Sequence, residues 1–387
     1  MNNPKERFAK RYQFQDFIFG FANRFLGMFS PRSSALPLKH APKRILICNI
    51  GHLGDVVIST AFLVHARTLF PLSSIDYLVG SYSKDAIQSF PGINKVHYID
   101  HWYLSSDGRL VFRVFRYARQ MIALRREFRE RNFDVAIDLR AWFPNCVFLM
   151  WFFCIPSRIG WDRLGLGPLL THAHTFEYDR RHEIEHQIDL LNGWSESSDL
   201  TGQIYMMSPH ISSEAQKNVE LYLKGIQSYC VLHMTGSTQT REWDLLGWVA
   251  VAKNCLENGV TPLITGVGKR AVELSDMMLR NAPGSVCMVD KLDWNEYIAL
   301  ISGAKYVVSI ETSAGHIAAA LKRPTISIYG GMADFRHWKP YGPGNFVVSA
   351  ELECSPCFKK NGCLDMTCMR SIDSKNVIAL ISQILHS

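Results

Sequence analysis

The sequence predicts an α/β protein of two domains, and three observations carry the prediction. Short apolar runs rich in Val and Ile alternate with stretches of helical period. The alternation runs once from Lys43 and restarts near Ser228, with a junction near 195–215. Polar, glycine-bearing loops follow the strands in both halves, where an open parallel sheet meets its ligands. A chain of 387 residues is long enough for two full cores.

Taken in order, residues 1–40 read as a basic amphipathic extension and linker. FAKRYQFQDFIFGFANRFLGMF spaces aromatics with Lys and Arg between them, and SPRSSALP follows. Such a helix can lie on an anionic bilayer or dock on its own domain. The first domain spans 41–205. RILICNI is a strand, DVVISTAFLVHARTLF a helix, and SIDYLVG, SKDAIQSF and KVHYID continue the βαβ rhythm. Residues 109–131 form a helix with Arg113, Arg116 and Arg119 along one side, and FDVAIDL is a buried strand. WFPNCVFLMWFFCIP, broken by Pro144 and Asn145, is too short to span a membrane and reads as a buried helix. The second domain spans 206–350. SYCVLHMT, TPLITG, YVVSI and PTISIYG are its strands; LLGWVAVAKNCLENG, NEYIALISGA and AGHIAAALK are its helices. Residues 351–387 hold a cysteine-bearing loop and a last helix.

Composition narrows the function classes. Hydrophobic residues make up 47% and charged ones 20%, as in a globular protein. The net charge of +7 suits anionic small molecules or an anionic membrane surface and is too weak to argue for nucleic acid. Ten cysteines without a secretory signal point to a cytoplasmic chain with reduced thiols.

The loops nominate the chemistry. GHLGD places Asp55 between a strand and a helix, beside Gly51, His52 and Gly54. Asp55 can cap that helix, or act as a base in a cleft between the domains. His52 and Asp138 are the other candidate bases of the first half. ETSAGH opens an alanine-rich helix whose first amides can take a phosphate beside Thr312, Ser313, Gly315 and His316; ordinary capping is the plainer reading. TGSTQTREW offers Ser237, Thr238 and Arg241 to negative charge. His182, Glu183 and His186 match H-E-x-x-H, but nothing nearby nominates a third zinc ligand. Cys354, Cys357, Cys363 and Cys368 either hold a structural zinc or pack a surface loop as free thiols.

ILICNIGHLGDVVIST, GSTQTREW, ETSAGHIAAALKRPTISIYG, WKPYGP and CSPCFKKNGC together resemble glycosyltransferase family 9, the bacterial lipopolysaccharide heptosyltransferases, over residues 43–385. The resemblance implies the GT-B architecture, two Rossmann-like domains facing a central cleft, with the last helix packing back on the first domain. It implies an inverting transferase that moves a sugar such as heptose from a nucleotide-diphosphate donor such as ADP-heptose to a lipopolysaccharide-type acceptor. Asp55 matches the family's general base. Ser237, Thr238, Arg241, Glu311, Thr312, Ser313, Gly315 and His316 fall on the donor side. Gly51, His52, Gly54, Arg113 and Arg116 fall on the acceptor side. Glu311 stands where the family has Asp, and Asp244 where it has Pro. No cofactor or catalytic metal is expected, nor any nucleic acid. The location implied is cytoplasmic, with peripheral contact at the inner membrane. Transfer to another surface polysaccharide, and a non-catalytic nucleotide-sugar binding module, are the alternative readings.

Overall fold

The computed structural model describes residues 4–8, 41–105, 108–163, 166–192, 204–359 and 362–386. The chain divides into two compact units, residues 9–207 and residues 1–8 with 208–387. The expected amphipathic extension falls almost wholly outside the described residues. Of its first turn, Phe8 packs edge-on against Phe358 at 5.6 Å, and Arg7 Nη1 donates to the Pro356 carbonyl at 3.3 Å.

The first unit is a sheet of β1 (Arg44–Cys48), β2 (Ser74–Val79), β3 (Lys95–Tyr98), β4 (Val135–Asp138), β5 (Ser157–Trp161) and β6 (His172–His174). Their order is β3-β2-β1-β4-β5-β6, with every neighbouring pair parallel. Such a sheet needs cover on both faces, and β1 shows why its run is unbroken. Ile45 and Ile47 enter one core, while Leu46 and Cys48 enter the other. The cover includes α1 (Leu53–Ile58), α2 (Leu110–Arg131), α3 (Val147–Phe152) and α4 (Glu183–Asp189).

Two expectations change here. The long helix expected after Gly54 is two helices, α1 and Thr60–Leu69, meeting at Ser59. Ser59 Oγ donates to the Val56 carbonyl and Thr60 Oγ1 to the Val57 carbonyl, both at 2.7 Å, so the hydroxyls compete with the ladder at the break. The segment expected as a buried helix is the six-residue α3. It buries Val147, Leu149 and Met150 but leaves Phe148 and Trp151 exposed.

The second unit contains β7 (Tyr229–His233), β8 (Thr261–Thr265), β9 (Val286–Cys287), β10 (Val307–Ile310), β11 (Thr325–Tyr329) and β12 (Asn345–Ser349), in order β12-β11-β10-β7-β8-β9. Counted from its own first strand, this parallel order repeats that of the first unit. Two Rossmann-like units of this kind make the GT-B plan. In each, the order reverses beside the first strand, at β1/β4 and β7/β10, and open α/β sheets take their ligands beyond the carboxyl ends of the strands at such a point. The helix α5 (Ser313–Ala320) follows β10. The last helix, α6 (Ser374–His386), buries Val377 and Ile381 in the core of this second unit, among Trp248, Ile326 and Val348. The resemblance put it against the first domain; its apolar face is instead taken by the second core.

Candidate functional site

In the first unit the switch point brings together the loops after β1 and β4. Asp55 is not the N-cap of α1; His52 is, and Asp55 stands three residues on as its reciprocal partner. Its Oδ2 accepts the His52 N–H at 2.9 Å and a hydrogen bond from Arg140 Nη1 at 2.6 Å. Among the described residues nothing bonds to Oδ1, and the side chain keeps 19% exposure against 9% for Arg140. Gly51 is required by this pair. A Cβ there would lie 1.9 Å from Arg140 Nη1 and 2.3 Å from Asp55 Oδ2. Gly54 sits in the first turn of α1.

Arg140 is set by its own loop. Asp138 Oδ1 accepts the Arg140 N–H at 3.2 Å, its Oδ2 accepts the Cys146 N–H, and Arg140 Nε donates to the Pro144 carbonyl at 2.9 Å. Asp138 therefore shapes the loop and is fully buried, which removes it as the alternative base. Arg163 stacks on Trp142 at 4.6 Å and donates to the Ala141 carbonyl at 3.2 Å. Trp142 Nε1 donates to Glu183 Oε2 at 3.3 Å.

The surroundings of this ion pair are held neutral or nearly so. Burial pushes the Asp138 carboxyl up to about 7 and the Glu183 carboxyl up to about 8, the latter helped by Asp55's charge. Burial, then the Arg140 charge, lowers His101 to about 4. For Arg140 itself burial opposes the charge, but Asp55 more than offsets it and the guanidinium is raised. A stability consequence follows. Unfolded glutamates release their proton near pH ~4.3, whereas Glu183 holds its proton to about 8. Between those values the native state binds the extra proton, so its stability falls as pH rises. Glu183→Gln removes this contribution. Thermal melts at pH 5 and pH 8 should show a smaller loss across the window than wild type, and a higher melting point at pH 8.

In the second unit the switch point joins the loops after β7 and β10. Glu311 is partly buried, its buried Oε2 has no hydrogen-bond partner among the described residues, and Oε1 lies 3.5 Å from Arg241 Nη2. Burial raises the Glu311 carboxyl, opposed by the Arg241 charge. Thr312 is the N-cap of α5, with an Oγ1 that bonds to nothing described, beside Ser313. Gly236 brings the first loop within van der Waals reach of the second: its Cβ would be 3.3 Å from Thr312 Cγ2. Ser237 and Thr238 are exposed in that loop, with Thr238 Oγ1 3.0 Å from Thr240 Oγ1. Trp243 anchors Arg241's turn, its Nε1 donating to the Ile372 carbonyl at 3.1 Å and its ring set edge-on to Trp248. Asp244 is the N-cap of the next helix. Gly315 is needed for packing against the sheet. Its Cβ would meet Ser327 Oγ at 2.8 Å and Ser309 Oγ at 3.4 Å, on the sheet side. His316 is buried in the same helix.

Other sequence candidates are placed elsewhere. Arg113 and Arg116 both donate to Ser105, to its carbonyl and its hydroxyl, rather than to the Asp55 loop. His182 caps α4 by accepting the Ile184 N–H at 3.1 Å, and His186 Nε2 lies 3.1 Å from Asp179. The H-E-x-x-H spacing thus serves a helix start and a side-chain contact with Asp179. Cys354, Cys357, Cys363 and Cys368 are all free thiols lining one cavity of about 300 Å³. Among the described residues, no group of three or more His, Cys, Asp or Glu is arranged to hold a metal ion.

Sequence reasoning missed Arg140, Trp142 and Glu183's part in the loop. The signal was present: IDLRAW puts a cation directly after a strand's carboxyl end, where the other candidate loops were sought.

Comparison with known proteins bears on the family and the fold. Residues 121–367 match the model of glycosyltransferase family 9 (heptosyltransferase). Lipopolysaccharide heptosyltransferase 3 of Escherichia coli K12 is 22% identical over 299 residues, 74% of this chain and 82% of its own. A family 9 glycosyltransferase from Veillonella parvula superposes with a TM-score of 0.74 at 18% identity, over 89% of this chain and 98% of that one. ADP-heptose lps heptosyltransferase II of E. coli gives 0.71 at 16% identity, over 88% and 98%. With the family model spanning more than half of it, and both switch points built as described, the chain belongs to glycosyltransferase family 9, the heptosyltransferases.

Proposed function

We propose that the protein is an inverting heptosyltransferase. It moves a heptose from a nucleotide-diphosphate donor, ADP-heptose as in its E. coli neighbour, to a lipopolysaccharide-type acceptor at the cytoplasmic face of the inner membrane. The observation that carries this reading is the carboxylate of Asp55, oriented by Arg140 through Oδ2 and open at Oδ1. Oδ1 takes the proton of the acceptor hydroxyl as that oxygen bonds to the anomeric carbon. The bond from that carbon to the diphosphate oxygen breaks on the opposite face, which inverts the centre. The diphosphate leaves with its charge met by Arg241 and by the first amides of α5 at Thr312 and Ser313. Arg241 must leave Glu311 to do so, and the 3.5 Å separation makes that pair weak.

No step of this route uses a metal. Sugar transfer should therefore persist after exhaustive treatment with chelator. Activity lost on chelation and restored by Mg²⁺ or Mn²⁺ would contradict the metal-free route.

A further inference from the structure

We infer that the outer face of α2, continued by the exposed aromatics of α3, is the surface that docks on an anionic phospholipid bilayer. The inference rests on the reading that the protein works at a membrane, and it names the surface. Val111, Phe115, Ala118 and Ile122 recur at four-, three- and four-residue steps, so they line one face of the helix. That face is exposed: Val111 is 76% accessible, Phe115 62% and Ile122 51%. Soluble surfaces seldom leave so long an apolar row uncovered. The same face continues through Arg126 and Arg129, with Arg119 at its margin, all exposed and none in an ion pair with any described residue. The helix carries seven arginines against two glutamates.

A second element extends the patch. Arg125, one turn beyond Ile122, lies over the Phe152 ring at 4.7 Å. Phe152 stacks with Phe148, which packs against Trp151, 46% accessible. An apolar row flanked by arginines and ending in an exposed tryptophan is the composition of a face that lies in the headgroup boundary. Charge selects the occupant. A second copy of the chain on a two-fold axis would set this arginine row against itself. Residues 9–40 carry Lys10, Arg11, Arg24, Arg32 and Lys39 against Asp16, so they match its sign rather than complement it. Anionic lipid complements both the charge and the apolar row. No helix among the described residues is long and apolar enough to cross a membrane.

Co-sedimentation of the full chain with phosphatidylcholine vesicles, with and without 30% phosphatidylglycerol, tests the assignment. Each arginine near an anionic surface should contribute about fivefold to partitioning. The wild type should bind only the anionic vesicles, less so at 0.5 M salt. The variant R119E/R126E/R129E should lose at least tenfold, and so should V111D/F115D/I122D. Both should keep wild-type melting points and wild-type nucleotide binding, because these side chains already face water. Failure of the wild type to bind would overturn the membrane reading itself. Undiminished binding by both variants would leave that reading standing and overturn this surface. A wild-type dimer in the absence of lipid, lost in V111D/F115D/I122D, would assign the face to a second copy instead.

Discussion

Asp55→Asn is expected to lower turnover at least ~100-fold, the lower end of what a general base contributes. The amide oxygen can still accept from Arg140 and the His52 N–H, so the loop keeps its shape. Its nitrogen then stands where Oδ1 stood, and it cannot take a proton. Because the Arg140 charge loses its counterion, a fall in melting temperature is also expected, unlike the near-neutral cost of exchanging one N-cap for another. Nucleotide affinity is the control, since the donor residues lie in the other unit. Loss of turnover with unchanged nucleotide affinity locates the defect at the acceptor hydroxyl. Near-normal turnover would remove Asp55 from the chemistry.

The second large effect is expected at Arg140. Arg140→Met keeps much of the length and removes the charge, leaving the partly buried Asp55 carboxylate without its partner. Breaking such a pair costs about 3 kcal/mol of stability. Turnover should fall about 100-fold, because an ångström of misplacement at a reacting group has that effect. Gly51→Ala should reproduce the kinetic defect without touching either charge, since the new methyl carbon would lie 1.9 Å from Arg140 Nη1. Steady-state kinetics on both variants, beside thermal melts, check the pair. Wild-type kcat in Gly51→Ala would show that Arg140 does not position the base.

Much of this architecture was legible in the sequence because fully buried parallel strands have to be continuous apolar runs. RILIC, YVVSI and TISIY could be read directly. HAH at the sheet edge could not, since an edge strand needs no such run and its polar residues look like loop; SRIGW beside it is interrupted by Ser, Arg and Gly. Asp55 was visible from its loop. Arg140 was not, because its meaning depends on β4 lying beside β1, a contact across 85 residues of chain. Gly315 carries a packing role that the sequence did not show, because only the positions of Ser309 and Ser327 reveal it. The last helix shows the same limit, as its apolar face is plain in the sequence but its partner is not.

The most direct test of the central claim is acceptor-dependent release of ADP from ADP-heptose, followed in chelator with a lipopolysaccharide core acceptor that lacks the transferred heptose. Wild-type protein should release ADP only when acceptor is present, with the new linkage inverted relative to the donor, and at least ~100-fold faster than Asp55→Asn. Tight binding of ADP-heptose with no acceptor-dependent release, or equal rates for the two proteins, would contradict the account.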